Sequence, residues 1–194
     1  MIVTADEVHR SFRGTVDLLH NRAEGLQAFD MSEEGFWHSF AAIFLTIPAY
    51  VVSLAVERFR FRFLGAPLFD NIWFDLVVAL GHVASFIALP VAMIWLARAL
   101  GATGRYVPFV IVTNWITVAG MLIMSVPALL FLVGWAPPTL AGLFTLAFFF
   151  IVFRAQWFAT KVTLGVPSVL AGAIVSLGLV LNVFIGAVTR VMLL

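Results

Sequence analysis

YVPFVIVTNWITVAGMLIMSVPALLFLVGWAPPTLAGLFTLAFFFIVF, residues 106–153, runs for 48 residues without a charged side chain. A bilayer core about 30 Å thick is crossed by about 20 helical residues, so this stretch is too long for one span and fits two. Its middle reads Gly134-Trp135-Ala136-Pro137-Pro138-Thr139. Consecutive prolines cannot continue the preceding helix, but proline suits the first turn of the next one. The reading is two helices joined by a tight hairpin. The apolar run is continuous, with no two-residue alternation, which favours helices over a membrane barrel.

Outward from this hairpin, three more charge-free runs follow the same logic: residues 35–56, 76–97 and 162–189. Each fits one helix, the last of them long or tilted. The expected spans are 35–57, 74–98, 106–133, 139–161 and 166–190. The predicted fold class is all-α, an integral membrane bundle of about five transmembrane helices with an N-terminal amphipathic helix. Residues 1–34 form a polar N-terminal segment and 35–194 the membrane domain.

Composition agrees. The 194 residues are 63% hydrophobic and 11% charged, against about 45–50% and about 25% in soluble domains. A soluble fold of this length has too little interior to hide that much apolar surface. The net charge of +1 gives no reason to expect a nucleic-acid partner. Without cysteine, disulfides, thiolate zinc sites and Cys-ligated clusters are excluded. No cofactor and no metal is expected. After Met-Ile-Val the chain turns polar at once, which predicts no signal peptide.

The N-terminal segment reads as a surface helix. Thr4-Ala5-Asp6-Glu7 is a capping-box pattern, with the Thr hydroxyl and the Glu carboxylate both meeting first-turn amides. Val8, Phe12, Val16 and Leu19 then recur at helical spacing. Their face lies either on the protein itself or in the membrane interface. Ser32-Glu33-Glu34 starts a second helix. Pro48, Pro90 and Pro127 are expected as fixed bends in spans one to three.

Basic residues suggest an orientation. With the N-terminus inside, inner segments carry seven (Arg10, Arg13, Arg22, Arg98, Arg105, Arg154, Lys161) and outer segments four (Arg58, Arg60, Arg62, Arg190). The positive-inside rule then favours N-in, C-out. The uncharged hairpin at 134–138 agrees with an outer loop. The Arg-Phe alternation at 58–63 argues the other way.

An ionisable group inside a span is a functional hypothesis by default. His82 is that group, roughly 9 Å into span two. It reads either as a hydrogen-bonding partner for a neighbouring helix or as a relay or ligand contact. Tyr50, His82 and Asn182 fall in the outer half and form an expected polar knot. Asn114 is expected alone in the inner half. A haem held between His38 and His82 is excluded, because their depths differ by roughly 18 Å. Asp75 and His82 share a face but lie about 10 Å apart along the helix, too far for a direct acid–base pair.

Arg98, Arg105, Arg154, Trp157 and Lys161 line the expected inner boundary. They read as snorkelling anchors or as a site for an anionic lipid headgroup. Ala84, Ala88 and Ala92 in span two, and Ser168, Gly172 and Ser176 in span five, are four-residue stripes of small side chains. Such stripes let helices approach closely, within the bundle or against a partner or second copy.

The lead Asp30-Met31-Ser32-Glu33-Glu34-Gly35-Phe36-Trp37-His38-Ser39-Phe40 into Pro48-Ala49-Tyr50, with Arg105-Tyr106-Val107-Pro108-Phe109 and Asn114-Trp115, is similar to a group of small bacterial inner-membrane proteins. In layout, a hydrophilic N-terminus before five close-set spans resembles the Yip family of membrane-trafficking proteins. That family's DLxGP-type motif before the first span is absent here. The resemblance implies a bacterial inner-membrane location. The expected function is a non-enzymatic accessory or organising protein acting through lipid and helix–helix contacts. The alternative is a small carrier or channel subunit with a polar site around His82. A membrane-embedded enzyme ranks third, since no cluster of carboxylates and His is visible in the sequence.

Overall fold

The computed structural model describes residues 3–63 and 71–193. Seven α-helices follow in chain order: α1 Ala5–Leu19, α2 Glu33–Ala41, α3 Ile47–Phe63, α4 Ile72–Ala99, α5 Tyr106–Leu132, α6 Pro138–Leu164 and α7 Ser168–Val191. Short 3₁₀ turns cover Ala23–Ala28, Ala42–Thr46 and Thr103–Arg105. Five segments are long and apolar enough to cross a membrane: Glu33–Arg62, Ile72–Ala99, Thr103–Leu132, Pro138–Leu164 and Ser168–Val191. This is an all-α integral membrane bundle, and each segment lies within a few residues of its expected place. The predicted connection between spans one and two falls largely outside the described residues.

The hairpin forms as the prolines dictate. α5 ends at Leu132, and Gly134 takes a left-handed φ of 77° that a side chain would strain. The amides of Trp135 and Ala136 fold back on the Leu130 carbonyl. Pro137 then precedes the first turn of α6 with Pro138 inside it.

Span one is not a single helix. α2 passes through the 3₁₀ turn Ala42–Thr46 before α3 begins. Pro48 lacks an amide, and its ring excludes the carbonyl four residues back from the α position. The turn before it tightens accordingly. Pro90 and Pro127, by contrast, lie inside continuous α4 and α5.

α5 is central, touching α1, α2, α3, α4 and α6. α6 continues the ring to α7, and α7 packs on α4. Small residues permit that last contact: a Cβ on Gly81 would lie 2.6 Å from Thr189 Oγ1, and one on Gly178 3.2 Å from Leu89. Ala84, of the expected alanine stripe, lines a small cavity of about 220 Å³ between the same two helices.

α1 docks on α5, α6 and its own following 3₁₀ turn. Its buried residues are Glu7, Ser11, Gly14, Thr15 and Leu18. Val8, Phe12 and Leu19 are half-buried at the edge, Phe12 meeting Trp115 edge-on at 6.2 Å. Val16 is exposed. The expected apolar face is thus rotated, because small and polar groups make the close contact. The capping box is half-formed. Thr4 Oγ1 accepts from the Glu7 amide at 3.2 Å, but the Glu7 carboxylate is engaged elsewhere, with His38. The second start signal forms as expected, Ser32 Oγ accepting from the Gly35 amide at 3.1 Å. Asp30 accepts from the Ser32 amide at 2.9 Å. That hydrogen bond, then the one from the Ser32 side chain, holds the Asp30 carboxyl below its ordinary value of 3.8.

Candidate functional site

Two half-open cavities lie between the helices and share Ser85, Met121 and Met124 in their walls. The first, about 350 Å³, sits among α4, α5, α6 and α7. The second, about 340 Å³, lies among α3, α4, α5 and α7 and reaches Glu57 and Arg190. Each volume is within the usual range for ligand pockets, about 300–1,000 Å³. Met, Phe, Leu and Val make up half of the first wall, whereas polar and charged side chains make up nearly half of the second.

The bundle ends differ. At the α1 end, a packed apolar layer lies a turn or two beyond the first cavity on α4, α5 and α6 and directly beside it on α7: Met93 and Ala97, Phe109 and Val110, Leu164, and Ile174. Phe40 of α2 adds an edge contact to Phe86 of the cavity wall, at 6.5 Å. Tyr106 donates from its hydroxyl to the Pro90 carbonyl at 3.1 Å. At the hairpin end, the second cavity finishes at charged groups instead. Glu57 Oε1 lies 3.2 Å from Arg60 Nη1 and 3.9 Å from Arg190 Nη2.

The expected polar knot divides between the cavities. Tyr50 and His82 line the second, with ring centroids 5.3 Å apart. Asn182 lines the first and donates to the Gly178 carbonyl of its own helix at 3.0 Å. A polar side chain one turn from a free lone pair satisfies itself locally, which sequence depth does not reveal. His82 Nε2 instead meets Thr46 Oγ1 at 2.9 Å, across to the 3₁₀ turn of span one. Thr46 already donates its single proton to the Ile43 carbonyl at 2.6 Å. It therefore accepts from His82, which places the imidazole proton on Nε2 in the uncharged ring.

Asn114 is not alone. Its Nδ2 donates to Ser39 Oγ at 3.1 Å, and Gln156 of the same cavity donates from Nε2 to the Thr113 carbonyl at 3.3 Å and to Thr117 Oγ1 at 3.0 Å. Gln156 carried no signal of its own in the sequence, lying between Arg154 and Trp157 of the basic boundary. Asp75 is taken by Arg58 at 2.6 Å, and the Tyr50 hydroxyl reaches its backbone carbonyl at 3.4 Å.

A second polar centre was missed entirely. His38 Nδ1 and Glu7 Oε2 are 2.8 Å apart, with side chains only 9% and 8% exposed. Glu34, exposed, lies 3.7 Å from the other ring nitrogen. The pair is 31 residues apart in sequence, so no local pattern joins it.

The basic boundary is spread over several elements. Arg154 donates to the Leu19 carbonyl at the end of α1, 3.2 Å away. Trp157 donates to the Ser168 carbonyl at 2.9 Å, and Lys161 Nζ lies 5.7 Å over the Trp157 ring. Arg98 is exposed, and Arg105 folds against Gly165. Trp157 also lies near Gly172, while Ser168 and Ser176 stay exposed. Ala88 and Ala92 are half-buried on α4.

Comparison of the chain with protein families, characterised proteins and solved structures finds no match.

Proposed function

We propose that this protein is a small-solute carrier or channel subunit whose binding site is the joined pair of cavities. The observation that supports the reading is that the two cavities abut. Ser85, Met121 and Met124 belong to both walls, so polar groups follow one another from Glu57 and Arg190 to Thr113 and Gln156. Structural glue needs isolated hydrogen bonds between helices; a file of hollow, polar-lined volume adds nothing to packing and costs contacts. In this reading the chamber is closed by the apolar layer at the α1 end and approached from the hairpin end. We place the α1 end on the cytoplasmic side of a bacterial inner membrane, on the seven-to-four basic asymmetry and the resemblance of the span-one lead.

The chain contains no cysteine, so single thiols report directly on water in the chamber. Ser53→Cys, Ser85→Cys and Ser125→Cys should react with a membrane-impermeant trimethylammonium thiosulfonate added on the hairpin side. Leu146→Cys, on the exposed apolar face of α6, should stay inert, because a thiol in lipid does not ionise. If Ser85→Cys and Ser125→Cys are as inert as Leu146→Cys, the chamber is dry and the reading fails.

A lipid-organising role has one observation in its favour. Among the described residues, Arg98, Arg105, Arg154 and Lys161 form no ion pair with a carboxylate, and Lys161 stands over Trp157 as interfacial cations do. Replacing Arg154 and Lys161 together by Gln should then lower co-purified phosphatidylglycerol or cardiolipin while the bundle still melts cooperatively. Unchanged lipid content would leave these residues as anchors.

A further inference from the structure

The hydrogen bonds along the two cavities are lopsided. Asn114, Gln156 and Asn182 all line the first cavity, and all three spend amide N–H groups on other protein atoms. For Asn182 and Gln156 an acceptor is a backbone carbonyl, so the donating atom must be nitrogen. For Asn114 the partner is Ser39 Oγ, whose own proton goes to the Phe36 carbonyl at 2.7 Å. Their carbonyl oxygens make no hydrogen bond among the described residues, the one of Asn182 on an exposed residue. Gln156 Oε1 is buried and without any partner. In the second cavity Glu57 Oε2 is likewise buried and unpartnered. His82, with its proton on Nε2, leaves Nδ1 as a fifth acceptor.

The hydroxyl donors are mostly spent by contrast, and the Arg190 guanidinium, 3.9 Å from Glu57 Oε1, is the donor that remains. Thr113, Thr117, Ser125 and Thr189 turn their hydroxyl protons back onto carbonyls of their own helices. Arg190 stands beside Glu57 at the mouth. Ser53 and Ser85 accept as readily as they donate. A buried acceptor without a donor is costly, and a ligand that supplies the N–H groups recovers that cost.

We propose that the chamber takes a small primary ammonium compound. Its three N–H groups meet Glu57 Oε2 and the acceptors beside it in the second cavity, the Glu57 carboxylate faces its charge, and its alkyl part lies against Met121 and Met124. The oxygens of the first cavity, with Asn182 eight residues or about 12 Å of helix from Arg190, form a separate position further along. An anion would find a cation only at Arg190, beside the Glu57 carboxylate, and acceptors along the rest of the wall. A cation without N–H groups would leave the acceptors unpaired. This inference rests on the chamber being a wetted binding site, as proposed above.

The test is calorimetric titration of the full chain in lipid nanodiscs with three probes: ethylammonium, tetramethylammonium and propionate. Ethylammonium should bind with one-to-one stoichiometry and the other two should not. Glu57→Gln keeps size and removes charge, and it should weaken ethylammonium about tenfold or more, the usual scale for a hydrogen bond to a charged group. Ser53→Leu, one turn from Glu57 in the same wall, provides an independent loss should Glu57→Gln not fold, and Lys161→Gln should bind as the parent does. Tetramethylammonium or propionate binding as tightly as ethylammonium would overturn the ammonium assignment, as would no binding of ethylammonium. Thiol labelling separates the two failures. Reactive Ser85→Cys with no preference for ethylammonium overturns only the ligand class, whereas inert Ser85→Cys removes the chamber itself.

Discussion

His38→Leu should lower the unfolding free energy by about 3 kcal/mol, the upper end of the cost of leaving a buried hydrogen-bonding group without its partner. The loss comes from what remains: Glu7, buried by the docked α1, keeps a carboxyl group with no partner. Glu7→Leu combined with His38→Leu should recover most of the loss, because two apolar side chains of similar volume need no partner. Denaturant titration in mixed micelles reads both variants. Limited proteolysis of the first 30 residues reports whether α1 detaches first. A loss below about 1 kcal/mol for His38→Leu would mean that the pair contributes no more than a surface contact.

Gly35→Ala is expected to be the second most damaging small change. A Cβ at Gly35 would overlap the Asp30 carbonyl oxygen, a backbone atom that cannot rotate away. Asp30 also holds the Ser32 amide, and Ser32 caps α2 through the Gly35 amide. Displacing Asp30 therefore breaks the cap, worth about 1 kcal/mol, and adds overpacking of about 1–3 kcal/mol. The total should fall at about 2–4 kcal/mol in the same titration. Ser32→Ala isolates the cap alone and should cost about 1 kcal/mol. Gly35→Ala melting like the parent would show that the 30–35 turn yields without loss.

How much of this was legible in the sequence follows from which forces act locally. The five spans were, because a charge inside lipid is costly and charge-free runs therefore mark them. The hairpin was, because Pro137 and Pro138 act on their own neighbours. The break in span one was only half legible: Pro48 announced a bend, but the tightened turn before it is also held by Thr46 reaching His82. The docking face of α1 was legible in part: Val8, Phe12 and Leu19 pack on the core, but hydrophobic periodicity does not find Ser11, Gly14 and Thr15, which make the close contact through small size. Glu7–His38 and Asn114–Ser39 join residues from different helices, and no spacing rule reaches them. Gln156 was hidden by its cationic neighbours, and only packing shows that it meets Thr113 and Thr117.

The turn between α5 and α6 has a consequence for how the chain enters a bilayer. Gly134–Pro137 joins two 27-residue helices with no charge at the tip and with Trp135 82% exposed. An uncharged tip can be carried through hydrocarbon without moving an ion, and an indole settles at the interface once across. α5 and α6 also make the most extensive helix pair in the bundle. They are therefore suited to insert together as one folded unit, around which α4 and α7 can assemble afterwards. A single lysine at Ala136 would force that step to transport a charge, and the defect would appear during biogenesis rather than in the stability of protein already in the membrane.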